Sequence, residues 1–257
     1  MSTTTPRNLD NWRERNYVAE YATRDLRPVE VLLLARHREA LSGRVLELGC
    51  GAGRVTGYLQ ALGGQLTAID LSERMVAHSR QAYPGLDARV GDVRDLSAFA
   101  PASFDAVVAA CNLLDALDHE DRLRALRAIA ALLAPGGLFI TSAHNRAHIP
   151  SLRRPRDVWP ARNPVRLLGK LVLLPHRERN HRRMVPFERQ EAEYALVNDD
   201  AHDFTMLHYY IGREAQERQL ADAGLTVVEV VDREGKALAA GDDGAAFVDL
   251  HYVARRD

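Results

Sequence analysis

Apolar and polar positions follow two rhythms along this chain. The short runs "RVLELG", "QLTAID", "FDAVVAAC" and "LFITSA" are apolar almost throughout and predict strands buried on both faces, and "DARVGD" predicts a further short one. Between them, apolar residues recur three and four apart in "GRVTGYLQALG", "SERMVAHSRQAYP" and "HEDRLRALRAIAALLAPGG", which predict helices. The first closes at Gly63-Gly64, the second is capped by Ser72 with Glu73 in its first turn, and the third stops at Pro135-Gly136. Strand and helix alternate strictly, so the pattern predicts a doubly wound, mostly parallel sheet covered by helices on both faces. Residues 10–41 read as N-terminal helices, one carrying Trp12, Tyr17 and Tyr21 and the next opening at Pro28. At the other end, "GREAQERQLADAG" predicts a helix and "LTVVEVVD" and "AFVDLHYVAR" two last strands. Only a turn-rich loop separates those strands, and a parallel return needs a long crossover, so they pair antiparallel.

Residues 145–203 break the rhythm. Six prolines fall between positions 150 and 186. From Arg146 to Arg189, twelve arginines and lysines face three acids, in a chain of 257 residues whose net charge is -1. The segment reads as a basic cap inserted over the carboxyl edge of the sheet. The organisation expected is one domain over 1–257, with helices at 10–41, a core at 43–143, the cap at 145–203 and the rest of the sheet at 204–257. A hydrophobic fraction of 46% is that of an ordinary soluble globule. The polar opening segment and the absence of a long aliphatic run predict a cytoplasmic protein. Two cysteines, Cys50 and Cys111, fit a reducing compartment, and no Cys/His spacing suggests a metal.

The candidate chemistry begins at "VLELGCGAGRVTGYL", residues 45–59. Glycines after a buried strand let the backbone turn tightly and approach a ligand, and the next helix presents free N–H groups to it. The dinucleotide pattern GxGxxG is not met, because the third glycine would fall on Arg54 or Thr56. Instead Glu47 precedes Gly49, Gly51 and Gly53, an arrangement suited to an ammonium-bearing ligand and hostile to a pyrophosphate. Asp70 ends the second strand, where a carboxylate can accept two ribose hydroxyls. Asp92 ends the third, placed to receive an adenine amino group, with Leu71 and Val93 beside the ring.

The stretches "VLELGCGAGRVT", "AIDLSERMV", "GDVRDL", "FDAVVAACNLLDAL" and "LRAIAALLAPGGLFI" resemble class I S-adenosylmethionine-dependent methyltransferases. The resemblance implies a seven-stranded sheet of order 3-2-1-4-5-7-6, with the last strand antiparallel. It implies S-adenosylmethionine as methyl donor, leaving S-adenosylhomocysteine. Glu47 and the Gly49–Gly53 backbone would hold the methionine portion, Asp70 the ribose and Asp92 the adenine. Cys50, Met75, Cys111, Tyr17 and Tyr21 complete the expected cofactor neighbours. The N-terminal aromatics are equally readable as a lid or as packing of a docked helix.

For the acceptor, Asn112 follows the fourth strand and His144, Asn145 and His148 the fifth, while "AHDFTMLHYYIG" supplies His202, His208, Tyr209 and Tyr210. His208, His144 and Asn112 are the catalytic candidates, since a histidine near neutrality suits proton removal from a hydroxyl or ammonium. Asn145, Tyr209, Tyr210 and Trp12 are the acceptor-binding candidates. "CNLL" replaces the [DNS]-P-P-[YFW] of nucleobase amino-methylating relatives, and the cap has few aromatics for stacking, so nucleic acid ranks behind a small acidic metabolite. The cap is a solvated face, a grip for an acidic acceptor, or a peripheral attachment to anionic lipid or RNA. The function expected is methyl transfer to an oxygen or nitrogen of a small molecule. The alternatives are a non-catalytic cofactor-binding sensor or partner, and an RNA or protein methyltransferase. Oligomeric state is not legible.

Overall fold

The computed structural model describes residues 4–14, 17–22, 25–152, 154–157 and 164–257. Arg153, Trp159 and Arg162 of the expected cap lie outside them. The chain enters through α1 (Thr4–Glu14), α2 (Val18–Tyr21), α3 (Pro28–Arg36) and α4 (Arg38–Leu41). The core follows as β1 (Arg44–Leu48), α5 (Thr56–Ala61), β2 (Gln65–Asp70), α6 (Glu73–Ala82), β3 (Asp87–Val90), β4 (Phe104–Ala109), α7 (His119–Leu132) and β5 (Leu133–Asn145). Next come α8 (Pro164–Met184), β6 (Arg189–Gln190), β7 (Tyr194–Val197) and β8 (His208–Ile211). The chain ends with α9 (Arg213–Asp222), β9 (Leu225–Val231) and β10 (Asp249–Arg256).

Strands β3, β2, β1, β4 and β5 lie side by side and parallel. β10 runs antiparallel beside β5, and β9 antiparallel beside β10. In chain order without the cap this is the expected 3-2-1-4-5-7-6. Three strands that the sequence pattern did not predict are added, β6 and β7 inside the expected cap and β8 just after it. β5 outruns β4, whose last partner across the ladder is Thr141, while β10 covers the opposite edge of β5 as far as His144. The edge that β4 vacates is taken by β8, paired parallel at His144 and Asn145, and β7 and β6 extend it antiparallel.

Alternate side chains of the central strands enter two separate cores, as a period of two requires. Leu46, Leu48, Val107 and Ala109 pack with Leu126 and Ile129 of α7 and Leu220 of α9. Val45, Ala106 and Val108 pack with Leu33 of α3, Leu41 of α4 and Leu59 of α5. Burying each of the larger side chains stabilises the fold by about 1.5–3 kcal/mol. Two local expectations need correction. Ser72 is the residue before α6 but makes no side-chain cap; its N–H is held by Asp70 Oδ1 at 2.8 Å. The cap holds the longest helix, α8, which starts at Pro164 and contains Pro175.

Candidate functional site

The chain leaves β1 through three glycines in the left-handed region, Gly49 (φ 64°), Gly51 (φ 55°) and Gly53 (φ 94°). A Cβ on Gly49 would stand 2.4 Å from Leu113 Cδ1, so the turn is pressed against the loop after β4. A Cβ on Gly51 would meet nothing within 4 Å, because this glycine faces a cavity of about 320 Å³. Gly53 does not line that cavity. Its missing Cβ makes room for Tyr83 and Ser79, so it is a packing glycine rather than the expected ligand contact.

The cavity lies at the carboxyl ends of β1, β2 and β4. Of the expected cofactor neighbours, it is lined by Glu47, Gly49, Cys50, Gly51, Asp70, Leu71, Met75, Asp92, Val93, Cys111 and Tyr21. Trp12, expected at the acceptor, lines it too. Tyr17 does not; it is buried behind the wall with Ala52 and Met75, its ring 5.0 Å from those of Trp12 and His202. Tyr21 reaches His202 Nε2 with its hydroxyl at 3.3 Å. These aromatics therefore act both as wall and as packing of α1 and α2.

The acids differ sharply in state. Burial pushes Glu47 up to about 8, although Thr56 Oγ1 donates to it at 2.6 Å and Arg54 is nearby. Burial also raises Asp70, opposed by the N–H groups of Ser72 and Gly51, which donate to it at 2.8 Å each. Asp92 is lowered, because the Arg94 guanidinium, at 2.6 Å from Oδ2, outweighs its desolvation. Burial raises both thiols, so neither Cys50 nor Cys111 is an activated nucleophile.

A second, polar wall is built by Asn112, His144, His202 and His208. Cys111 (φ 56°) and Asn112 (φ 54°) are consecutive non-glycine residues in the left-handed region, and strain of this kind persists only where surroundings enforce it. Ser142 Oγ accepts the Asn112 N–H at 2.9 Å, while Asn112 Oδ1 is buried with no protein partner. His208 Nδ1 stands 3.0 Å from both oxygens of the buried Asp199, which also accepts the Tyr210 hydroxyl at 2.7 Å. Burial alone would lower His208; the Asp199 carboxylate more than offsets it, and the histidine is raised while Asp199 is depressed. The His144 ring lies 5.4 Å from that of His208, with Nδ1 2.8 Å from Asp115 Oδ2 but out of hydrogen-bond alignment. Asp115 is fully buried, accepts the His144 N–H at 2.7 Å, and pairs with Arg122 at 2.6 Å.

Three expected acceptor-binding residues do not reach the cavity. Asn145 spends its side chain on loop backbone, donating to the Asp243 and Gly244 carbonyls at 2.8 and 2.9 Å and accepting from Ala147 N. Tyr209 is buried between His119 and Gln219. Tyr210 stacks on His144 and holds Asp199. Among the described residues the cap reaches the cavity only through Ala201 and His202, and none of its described arginines lines it. The arginines that do, Arg54 and Arg27, are paired with Glu30 and Asp249. Arg54 was missed although it sits inside the glycine turn, where a zwitterionic ligand needs a cation for its carboxylate. Asp199 and Asp115 carry no local signal; only the fold brings them to the histidines.

Residues 45–137 match a family model described as a methyltransferase domain. A ubiquinone biosynthesis O-methyltransferase of Xanthomonas campestris pv. campestris is 42% identical over 127 residues, covering 47% of this chain and 51% of that protein. Its counterpart in Xanthomonas euvesicatoria pv. vesicatoria is 38% identical over 126 residues. The chain thus spans about half the length of the curated relatives it matches. Among solved structures, an S-adenosylmethionine-dependent methyltransferase from Mesorhizobium loti shares the fold with a TM-score of 0.57 and 20% identity, covering 89% of this chain and 98% of that one. The Burkholderia thailandensis 1,6-didemethyltoxoflavin-N1-methyltransferase, which holds S-adenosylhomocysteine, gives a TM-score of 0.56 and 21% identity over 93% of this chain and 80% of that one. The fold is that of the class I S-adenosylmethionine-dependent methyltransferases. Residues 45–137, the part similar to the methyltransferase domain, form strands and turns around the cavity.

Proposed function

We propose that this protein transfers a methyl group from S-adenosylmethionine to a hydroxyl oxygen of a small molecule, with His208 as general base. The cavity wall suits the donor: an open glycine face at Gly51, acids at the ends of three strands, and Leu71 and Val93 for a flat ring. Glu47, which a bound ammonium would draw into its ionised form, and Arg54 would address the two charges of the methionine portion, Asp70 the ribose and Asp92 the adenine. The donor supplies an electrophilic methyl on sulfur. The protein's task is to hold the acceptor oxygen behind it, a positioning effect that can supply on the order of 7–11 kcal/mol.

The His208–Asp199 pair in the cavity wall carries this reading. Asp199 engages Nδ1, which fixes the tautomer and leaves Nε2 for the cavity. A base is needed when the acceptor must lose a proton, as a hydroxyl must. The Asn112 Oδ1 without a protein partner is suited to accept a hydrogen bond from a second donor on the acceptor. The Xanthomonas relatives are named O-methyltransferases, which supports oxygen as the target. An acidic acceptor gains no support from the cap, whose described arginines lie outside the cavity lining.

The test is incubation of the protein with a methyl-labelled donor and a panel of phenolic and other hydroxylated metabolites, with mass identification of products. An O-methylated product is expected, and His208→Gln should lower turnover by about 10²–10⁴-fold without changing S-adenosylhomocysteine affinity. Wild-type turnover in that variant would remove His208 as base. Cofactor binding with no product from any acceptor would favour the sensor reading.

A further inference from the structure

Helix α8 has two unlike faces. At about 100° per residue, Arg177, Asn180, His181 and Met184 share one side. This side is docked: Asn180 Nδ2 donates to the Asp203 carbonyl at 2.8 Å, Arg177 lies over the Phe204 ring, and His181 Nδ1 meets Asn198 Oδ1 at 2.7 Å. The segment it holds, 201–204, supplies Ala201 and His202 to the cavity wall. The opposite side carries Leu168, Leu171 and Val172, then Arg179, Arg182 and Arg183, within about 120° of arc. These apolar residues are 63%, 46% and 71% exposed, and the three arginines are exposed too. Glu178 lies beside them and pairs with Arg156 and, at 3.6 Å, with Arg182.

We propose that the outer face of α8 docks on an anionic lipid surface. Apolar residues continuous with a cationic end match a bilayer interface, where the former enter the headgroup boundary and the latter meet lipid charge. A second copy of the chain fits worse. Side-by-side parallel helices would oppose arginine to arginine, and antiparallel ones would set arginines on the apolar stretch. RNA would use the cations but leaves the leucines and valine unexplained, and no aromatic lies among the named face residues for base stacking. No helix among the described residues is long and apolar enough to cross a membrane, so the attachment is peripheral. Docking brings the inner side of α8, and the cavity wall it holds, within about one helix diameter, roughly 10 Å, of the lipid.

The experiment is co-sedimentation of the protein with vesicles of phosphatidylglycerol and phosphatidylcholine, against phosphatidylcholine alone. Partition onto the anionic vesicles alone is expected, falling as salt is raised. Arg179→Glu/Arg183→Glu and, separately, Leu171→Glu/Val172→Glu should each weaken it by about tenfold or more. Both variants should keep wild-type circular dichroism and S-adenosylhomocysteine affinity, which separates this surface from the methyl-transfer reading. Equal partition onto neutral vesicles, no partition, or unchanged partition in the variants overturns the proposal. A wild-type dimer made monomeric by Leu171→Glu/Val172→Glu assigns the face to a second copy and overturns it likewise. RNA binding lost only in the arginine variant does the same.

Discussion

Glu47 sits near the carboxyl end of strand β1, where burial disfavours its charge, and it keeps its proton to about 8 against an ordinary 4.5. A carboxyl raised in the folded state contributes stability that is fully present below about 4.5 and is lost as pH rises through about 8. Glu47→Gln removes the titration, so wild type should lose stability relative to the variant between pH 5 and pH 9, by on the order of a few kcal/mol. Urea unfolding at the two pH values checks this, and parallel changes in the two proteins would contradict it. Asp199 acts at the same scale but through another residue. Asp199→Asn takes away the charge that holds His208 above its ordinary value, while the burial that lowers it remains. The acid limb of the kcat/KM profile should therefore move to lower pH, with a plateau lowered by about 10²-fold or more. A structural role alone would reduce the amount of folded protein and leave the limb where it was.

The turn between β1 and α5 shows that glycines at one spacing do separate jobs. Gly51→Ala places a methyl in open cavity at a left-handed φ, so it should weaken S-adenosylhomocysteine binding at least tenfold while costing only about 1 kcal/mol of stability. Gly53→Ala drives a methyl to 2.5 Å from the Tyr83 ring at a φ of 94°, so it should cost about 2–4 kcal/mol of stability. Calorimetry and thermal unfolding on the two variants test the division; equal effects on binding would return Gly53 to the ligand wall. This element was legible in outline because a buried strand ending in Glu47 and glycines carries its chemistry in consecutive residues. Which glycine faces the ligand was not legible, since Tyr83 approaches from the far end of α6. The strands between α8 and α9 escaped for a related reason: β8 is a strand because β5 outruns β4 and leaves an edge to be filled.

Across the whole molecule, stability and chemistry meet at one buried ion pair. Arg122 on α7 binds Asp115 at 2.6 Å, Gln216 on α9 at 2.5 Å, and lies over the Tyr209 ring of β8. The other oxygen of Asp115 accepts the His144 N–H, so the clamp between two covering helices and β8 is also the floor of the histidine wall. The α7 apolar pattern predicts a helix but not that Arg122 turns inward; Asp115, seven residues before it, balances the charge, and Gln216, 94 residues away, takes a second hydrogen bond. Removing one member leaves an uncompensated buried charge, so Arg122→Met should cost about 3–5 kcal/mol in urea unfolding. Replacing both, Arg122→Met/Asp115→Leu, should recover most of that loss, because apolar residues of similar volume can substitute for a buried pair. Turnover should not recover with it, since the double variant still lacks the carboxylate beside His144. A double variant as active as wild type would show that the pair serves packing alone.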